Sequence, residues 1–112
     1  MPPRDWRLRV RDVLRAVERI QRFTRGLTQE TFAADERTVA AVSYELVLIG
    51  EAAKNVPPEA QAIARDVPWQ DMSDMRNVIA HEYFGVDLAI VWQTATRDVP
   101  KLAAPLRKLL GE

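Results

Sequence analysis

Arg4-Asp5-Trp6-Arg7-Leu8-Arg9-Val10-Arg11-Asp12-Val13-Leu14-Arg15-Ala16-Val17-Glu18-Arg19-Ile20-Gln21-Arg22-Phe23-Thr24 is the stretch whose periodicity decides the fold. Trp6, Val10, Val13, Val17 and Ile20 recur at steps of three and four, with Leu14 and Phe23 beside them. Such steps lay one apolar stripe along an α-helix. Arg4, Arg7, Arg11, Arg15, Arg19 and Arg22 fall on the opposite side. One face is predicted to be buried and the other to display arginine. Gly26 stands where a helix-ending glycine belongs.

The next segments read the same way. Thr28, Glu30 and Thr31 can start a short helical turn. Asp35 is a candidate N-cap for a long helix reaching about Asn55. Val39, Val42, Leu46, Ile49, Ala53 and Val56 give it an apolar face to lay along the first helix. Gly50, inside it, costs about 1 kcal/mol relative to alanine. Its place there predicts either a bend or the close approach of another backbone. Pro57 and Pro58 end the helix.

A short helix is predicted over 59–66, stopped before Pro68, with Trp69 as a core anchor. Asp71 or Ser73 is expected to cap the following helix, which ends near Gly85. Asp87 caps a final helix whose Leu88, Val91, Trp92 and Ala95 face inward. Pro100 predicts a kink or break before a segment carrying Leu102, Leu106, Leu109 and Leu110. No stretch alternates like a strand. The expected fold is an all-α bundle of four or five helices, a single domain over residues 1–112.

Composition narrows the functions. The chain is 47% hydrophobic and 29% charged, which suits a globular domain and not a disordered one. With no cysteine, disulfides and thiolate metal sites are excluded. One histidine among scattered carboxylates makes a poor ligand set, so neither metal nor cofactor is expected. Phosphate-cradling glycine patterns are absent, and Ser43 and Ser73 sit in no nucleophile elbow. No apolar run approaches a membrane span, and no apolar stretch follows Met1–Trp6 as in a leader. A soluble, cytoplasmic protein is expected. The formal net charge of zero hides a split: residues 1–25 carry eight arginines against Asp5, Asp12 and Glu18, a net of +5, balanced by −5 in the remainder. Such asymmetry suits either an anionic partner or two mutually attractive parts of one fold.

Chemistry concentrates in Arg76-Asn77-Val78-Ile79-Ala80-His81-Glu82-Tyr83. His81 is the sole histidine, and imidazole exchanges protons near neutral pH. Arginine matches a phosphate with paired hydrogen bonds. At 100° per residue Asn77 and His81, four apart, point away from the core face, while Arg76 and Tyr83 border it. Arg76 and His81 are about 140° apart on a regular helix and do not readily serve one atom. Taken alone, His81 could equally be a solvated residue favoured by the helix C-terminus. The arginine face could equally be an ordinary wet surface. Glu51, Lys54 and Asn55 either line a cleft beside the motif or form an exposed helix end.

In combination these residues resemble the HEPN-domain ribonuclease toxins, specifically the HepT-like family. Its signature of Arg, four residues, His, one residue and Tyr is met by Arg76, His81 and Tyr83, with Asn77 as the polar residue after the arginine. The resemblance extends through Ile49–Ala53, Met75–Asn77, His81–Phe84, Val91-Trp92 and Asp98–Leu102. It implies a homodimeric all-α bundle with the motif helices at the subunit interface, where two copies of the arginine–histidine pair share one cleft. It also implies metal-independent RNA cleavage by 2′-hydroxyl attack. His81 would move the proton, Arg76 would hold the phosphate and Asn77 would orient one or the other. Arg11, Arg15 and Lys54 are the candidate RNA-binding cations. The implied partner is a small nucleotidyltransferase antitoxin that transfers AMP to the motif tyrosine, here Tyr83. A rival reading keeps the fold but makes the chain a non-catalytic nucleotide- or substrate-binding subunit of a nucleotidyltransferase complex. A third is a scaffold in which Arg76 and His81 merely pair with carboxylates such as Asp74 or Glu82.

Overall fold

The arginine-striped segment forms helix α1, Trp6–Thr24. The structure, a computed structural model, describes residues 5–82 and 85–112. Asp5 starts the helix by accepting the backbone N–H of Arg7 at 2.9 Å. Val10, Val13, Ala16, Val17 and Ile20 are buried, as the periodicity requires. Phe23 is not among them: it is exposed, because Thr24, four residues after Ile20, continues the stripe. The Thr24 hydroxyl makes that burial tolerable by donating to Ile20 O at 2.8 Å. Gly26 follows with φ +79°, the left-handed conformation that ends a helix at little cost to glycine.

Thr28 and Thr31 cap each other's backbone at the start of α2, Gln29–Ala33, which buries Phe32. Asp35 then caps α3, Glu36–Lys54. Its carboxylate accepts the Thr38 hydroxyl at 2.7 Å and the Thr38 N–H at 3.2 Å. Those bonds favour the charged form and hold the Asp35 carboxyl below its ordinary 3.8.

The middle of the chain departs from the sequence pattern at two points. Helix α4 spans only Pro58–Gln61, where the pattern predicts a helix over 59–66. After it the backbone tightens into three-residue turns, with Ala64 N–H on Gln61 O and Val67 N–H on Ala64 O. Pro68 has no N–H to offer the Ala64 carbonyl four residues back, and the buried Trp69 indole N–H bonds it instead at 3.0 Å. Helix α5 begins at Trp69 and runs to Glu82, so neither Asp71 nor Ser73 is its cap. Its start follows Pro68, whose carbonyl accepts Met72 N–H at 3.0 Å, and Asp71 sits inside the first turn, where the helix dipole favours a carboxylate.

Asp87 caps α6, Leu88–Gln93, by accepting Ala89 N–H at 2.8 Å. Around Pro100 the helix changes its winding and does not break. Thr94–Asp98 widens into a π-turn in which Val99 N–H reaches back to Thr94 O. Val99–Leu102 tightens into a 3₁₀ turn, and α7 resumes over Ala103–Leu109. A proline lacks one backbone donor, and the flanking turns re-pair the carbonyls around that gap.

Helix α3 is the central rod. It packs against α1 on one side and α5 on the other, and the run from α6 to α7 closes over α1. Phe32 and Trp92 pin α2 to α6, their rings tilted with centroids 5.2 Å apart. The described residues therefore form an all-α bundle, as the periodicity predicts. None of its helices is long and apolar enough to cross a membrane.

Candidate active site

The site is built where α5 crosses α3. A Cβ added to Gly50 would collide with Arg76 Cβ and come within 2.7 Å of Met72 O. The glycine is thus the close-approach device that its place inside a helix predicts. That contact sets Arg76 on the shoulder of the interface, with its side chain 29% exposed.

Arg76 is held from two directions. Its Nε lies 2.6 Å from Glu51 Oε1, and its Nη1 donates to Asn77 Oδ1 at 3.1 Å. The Nε–H does not point along the line to Glu51, so Nε is buried without an aligned acceptor. Distance governs the charge pairing and alignment governs the hydrogen bond; the contact with Glu51 is therefore a charge pairing. It differs from the local pairing that a scaffold reading expects. Asp74 instead accepts from Gln70 at 2.9 Å, and the carboxylate on Arg76 comes from another helix.

Asn77 and His81 are exposed on the outward face of α5. His81 stands in the last turn, and among the described residues it has no hydrogen-bond or ion-pair partner. No hydrogen bond joins it to Arg76. A single chain therefore unites Arg76 with Asn77 and leaves His81 apart, in keeping with the angular separation on the wheel. Val78, beside Asn77, is 45% exposed. The motif tyrosine Tyr83, like Phe84 and Arg4, lies outside the described residues.

The cations expected to hold RNA are not equivalent. Arg11 is tied to the Glu112 carboxylate at 3.0 Å, near the other end of the chain. Arg15 lines a groove between α1 and α3, shared with Arg9, Asp12, Arg19, Glu45 and Glu51. Lys54 is exposed in the last turn of α3. In the groove the buried Glu45 pairs with Arg19 at 3.3 Å. The face expected to be bare arginine is thus interleaved with acids, which lowers its pull on a phosphate backbone.

The sequence places Glu51 beside the motif only as one of two options. Gly50 is the signal that decides between them, because the residue after a close-approach glycine is carried to the same crossing. A second cavity, of about 420 Å³, lies between Leu46, Ile49, Met72, Met75 and Leu102, and does not include Arg76, Asn77 or His81. Among the described residues no three His, Asp or Glu side chains group as a metal site.

A tethered guanidinium, an amide and an exposed imidazole on one helix of an all-α bundle are groups of the kind that phosphodiester chemistry uses. The chain belongs to the HepT-like ribonuclease family, whose model, described as Ribonuclease HepT-like, matches residues 13–109. It is by that membership an enzyme, an endoribonuclease. It is 40% identical over 98 residues to the "Probable ribonuclease HepT" of Thermococcus cleftensis, covering 88% of this chain and 89% of that one. A "Putative RNase" of Methanocaldococcus jannaschii is 36% identical over 112 residues, all of this chain and 93% of that protein. The "Gamma-glutamylcyclotransferase and putative RNase" of the same organism is 31% identical, with 97% of this chain matching 49% of it. No solved structure matches the chain.

Proposed function

We propose that the chain is the toxin of a toxin–antitoxin pair, a homodimer that cleaves RNA without a metal ion. The observation that carries the reading is the outward face of α5. Arg76 is anchored there with hydrogens left on its terminal nitrogens, and Asn77, Val78 and His81 stand exposed beside it. The exposed valine gives a second copy of the chain an apolar place to sit. Two α5 helices meeting about a two-fold axis would bring His81 of each protomer toward Arg76 of the other.

In that cleft the substrate's own 2′-hydroxyl attacks the adjacent phosphorus, and the bond to the 5′-oxygen breaks. His81 takes the hydroxyl proton or returns one to the leaving oxygen. Arg76 stabilises the charge gathering on the phosphoryl oxygens, and Asn77 keeps the guanidinium aimed. The products are a 2′,3′-cyclic phosphate and a 5′-hydroxyl. DNA, which has no 2′-hydroxyl, is not cut by this route. Arg15 and Lys54 contribute to strand binding, and Arg11 does so only once it is released from Glu112. The partner is a nucleotidyltransferase antitoxin that transfers AMP to Tyr83, placing a bulky phosphate where RNA would sit.

The test is cleavage of RNA in EDTA by wild type, Arg76→Ala and His81→Ala. Wild type should cut, and each variant should lose activity while keeping its helical circular dichroism. RNA bound but left intact by wild type would instead favour the non-catalytic subunit. Incubation with the antitoxin and ATP should add one AMP to wild type and none to Tyr83→Phe, read by mass spectrometry.

A further inference from the structure

Gly50 lets α5 come close enough for its neighbour Glu51 to reach Arg76. The Glu51 carboxylate sits on Nε, the inner and buried nitrogen of the guanidinium. Asn77 takes one hydrogen of Nη1. A guanidinium can meet a phosphate along either of two edges: Nε with one terminal nitrogen, or the two terminal nitrogens together. Glu51, 2.6 Å from Nε, crowds the first by charge and proximity, without an aligned N–H. Glu51 also lines the groove that holds Arg9, Asp12, Arg15, Arg19 and Glu45.

We infer that Glu51 is a positioning residue for Arg76, holding the guanidinium by its inner edge and restricting it to end-on contact with a phosphodiester through Nη1 and Nη2. The inference rests on the ribonuclease reading and extends it to a residue outside the motif. Glu51 touches neither the substrate nor the reacting atoms; it acts through Arg76.

Wild type, Glu51→Ala, Glu51→Gln, Arg76→Ala and the double variant Glu51→Ala/Arg76→Ala are compared in three measurements. These are cleavage of a short RNA in EDTA, binding of the same sequence carrying uncleavable 2′-O-methyl groups, and the side-chain Nε–H signal of Arg76 by NMR. Glu51→Ala should lose on the order of 100-fold in kcat, the scale of a misaimed catalytic group, with little change in KM. Glu51→Gln keeps the shape and removes the charge, so it should lose nearly as much as Glu51→Ala. On the Arg76→Ala background Glu51→Ala should add nothing to either activity or binding. The Nε–H signal, identified by its loss in Arg76→Ala, should be sharp in wild type and broadened in Glu51→Ala. Wild-type kinetics in Glu51→Ala, a loss repeated in full without Arg76, or an unchanged NMR signal would each overturn the inference. If wild type cuts no RNA, the ribonuclease reading fails, and the binding cycle with the NMR signal still decides the role of Glu51.

Discussion

Asp35 is the residue whose ionisation is most clearly tied to the fold. Two bonds from Thr38 stabilise its carboxylate, so its folded pKa lies below 3.8. A depressed carboxyl pKa contributes stability above the unfolded value and loses it as pH falls through the folded one. Asp35→Asn should therefore melt lower than wild type at neutral pH. The gap in melting temperature should begin to narrow as pH falls below 3.8 and should close only below the lower folded pKa, where the folded wild type is protonated as well. A gap that stays constant down to acid pH would mean that the cap works through shape alone. This cap was legible in the sequence because N-capping is local: an acid three residues before a threonine at a helix start has few other uses. The Glu51–Arg76 pairing was not legible in the same way. It joins residues on different helices, and which carboxylate meets an arginine depends on the register of two packed rods. No spacing rule carries that information.

Between residue and bundle, the crossing of α3 and α5 is the element that makes the site. Gly50→Ala puts a methyl group against Arg76 Cβ and the Met72 carbonyl, and neither is the free end of a flexible chain. The helices must separate, at an overpacking cost of about 1–3 kcal/mol. That should appear as a lower melting temperature, and as a cleavage loss greater than that of an equally destabilising change in α1. Normal activity in Gly50→Ala would mean that the arginine does not need its close seat. Helix existence and the apolar faces were readable here because they follow from periodicity. The ends were less so. The onset of α5 follows Pro68, and after the short α4 the Ala64 carbonyl is shared by the Val67 N–H and the Trp69 indole N–H, a pairing that periodicity does not announce. Around Pro100 the sequence predicts a disruption, and the fold resolves it by widening and then tightening one helix.

At the scale of the whole molecule, the candidate groups Arg76 and His81 are not bonded to one another within one chain. Arg76 is braced on the flank of the bundle and His81 stands free of any partner among the described residues, with no hydrogen bond between them. The sequence names both residues but cannot say what unites them, because an interface depends on the surfaces that folding leaves uncovered. Exposed Val78 is such a surface, on the same helix as both residues. A two-fold pair built there would take its arginine from one protomer and its histidine from the other. Subunit mixing tests this directly. Arg76→Ala and His81→Ala proteins, each inactive alone, are unfolded together and refolded at equal concentration. Random pairing makes about half of the dimers mixed, and each mixed dimer has one intact composite site of two, so about a quarter of wild-type activity should return. Sites built within single chains would regain nothing on mixing. Val78→Lys supplies the matching control. A like charge on each copy at the axis should shift sedimentation toward monomer and abolish cleavage together, since the imidazole would then have no guanidinium to work beside.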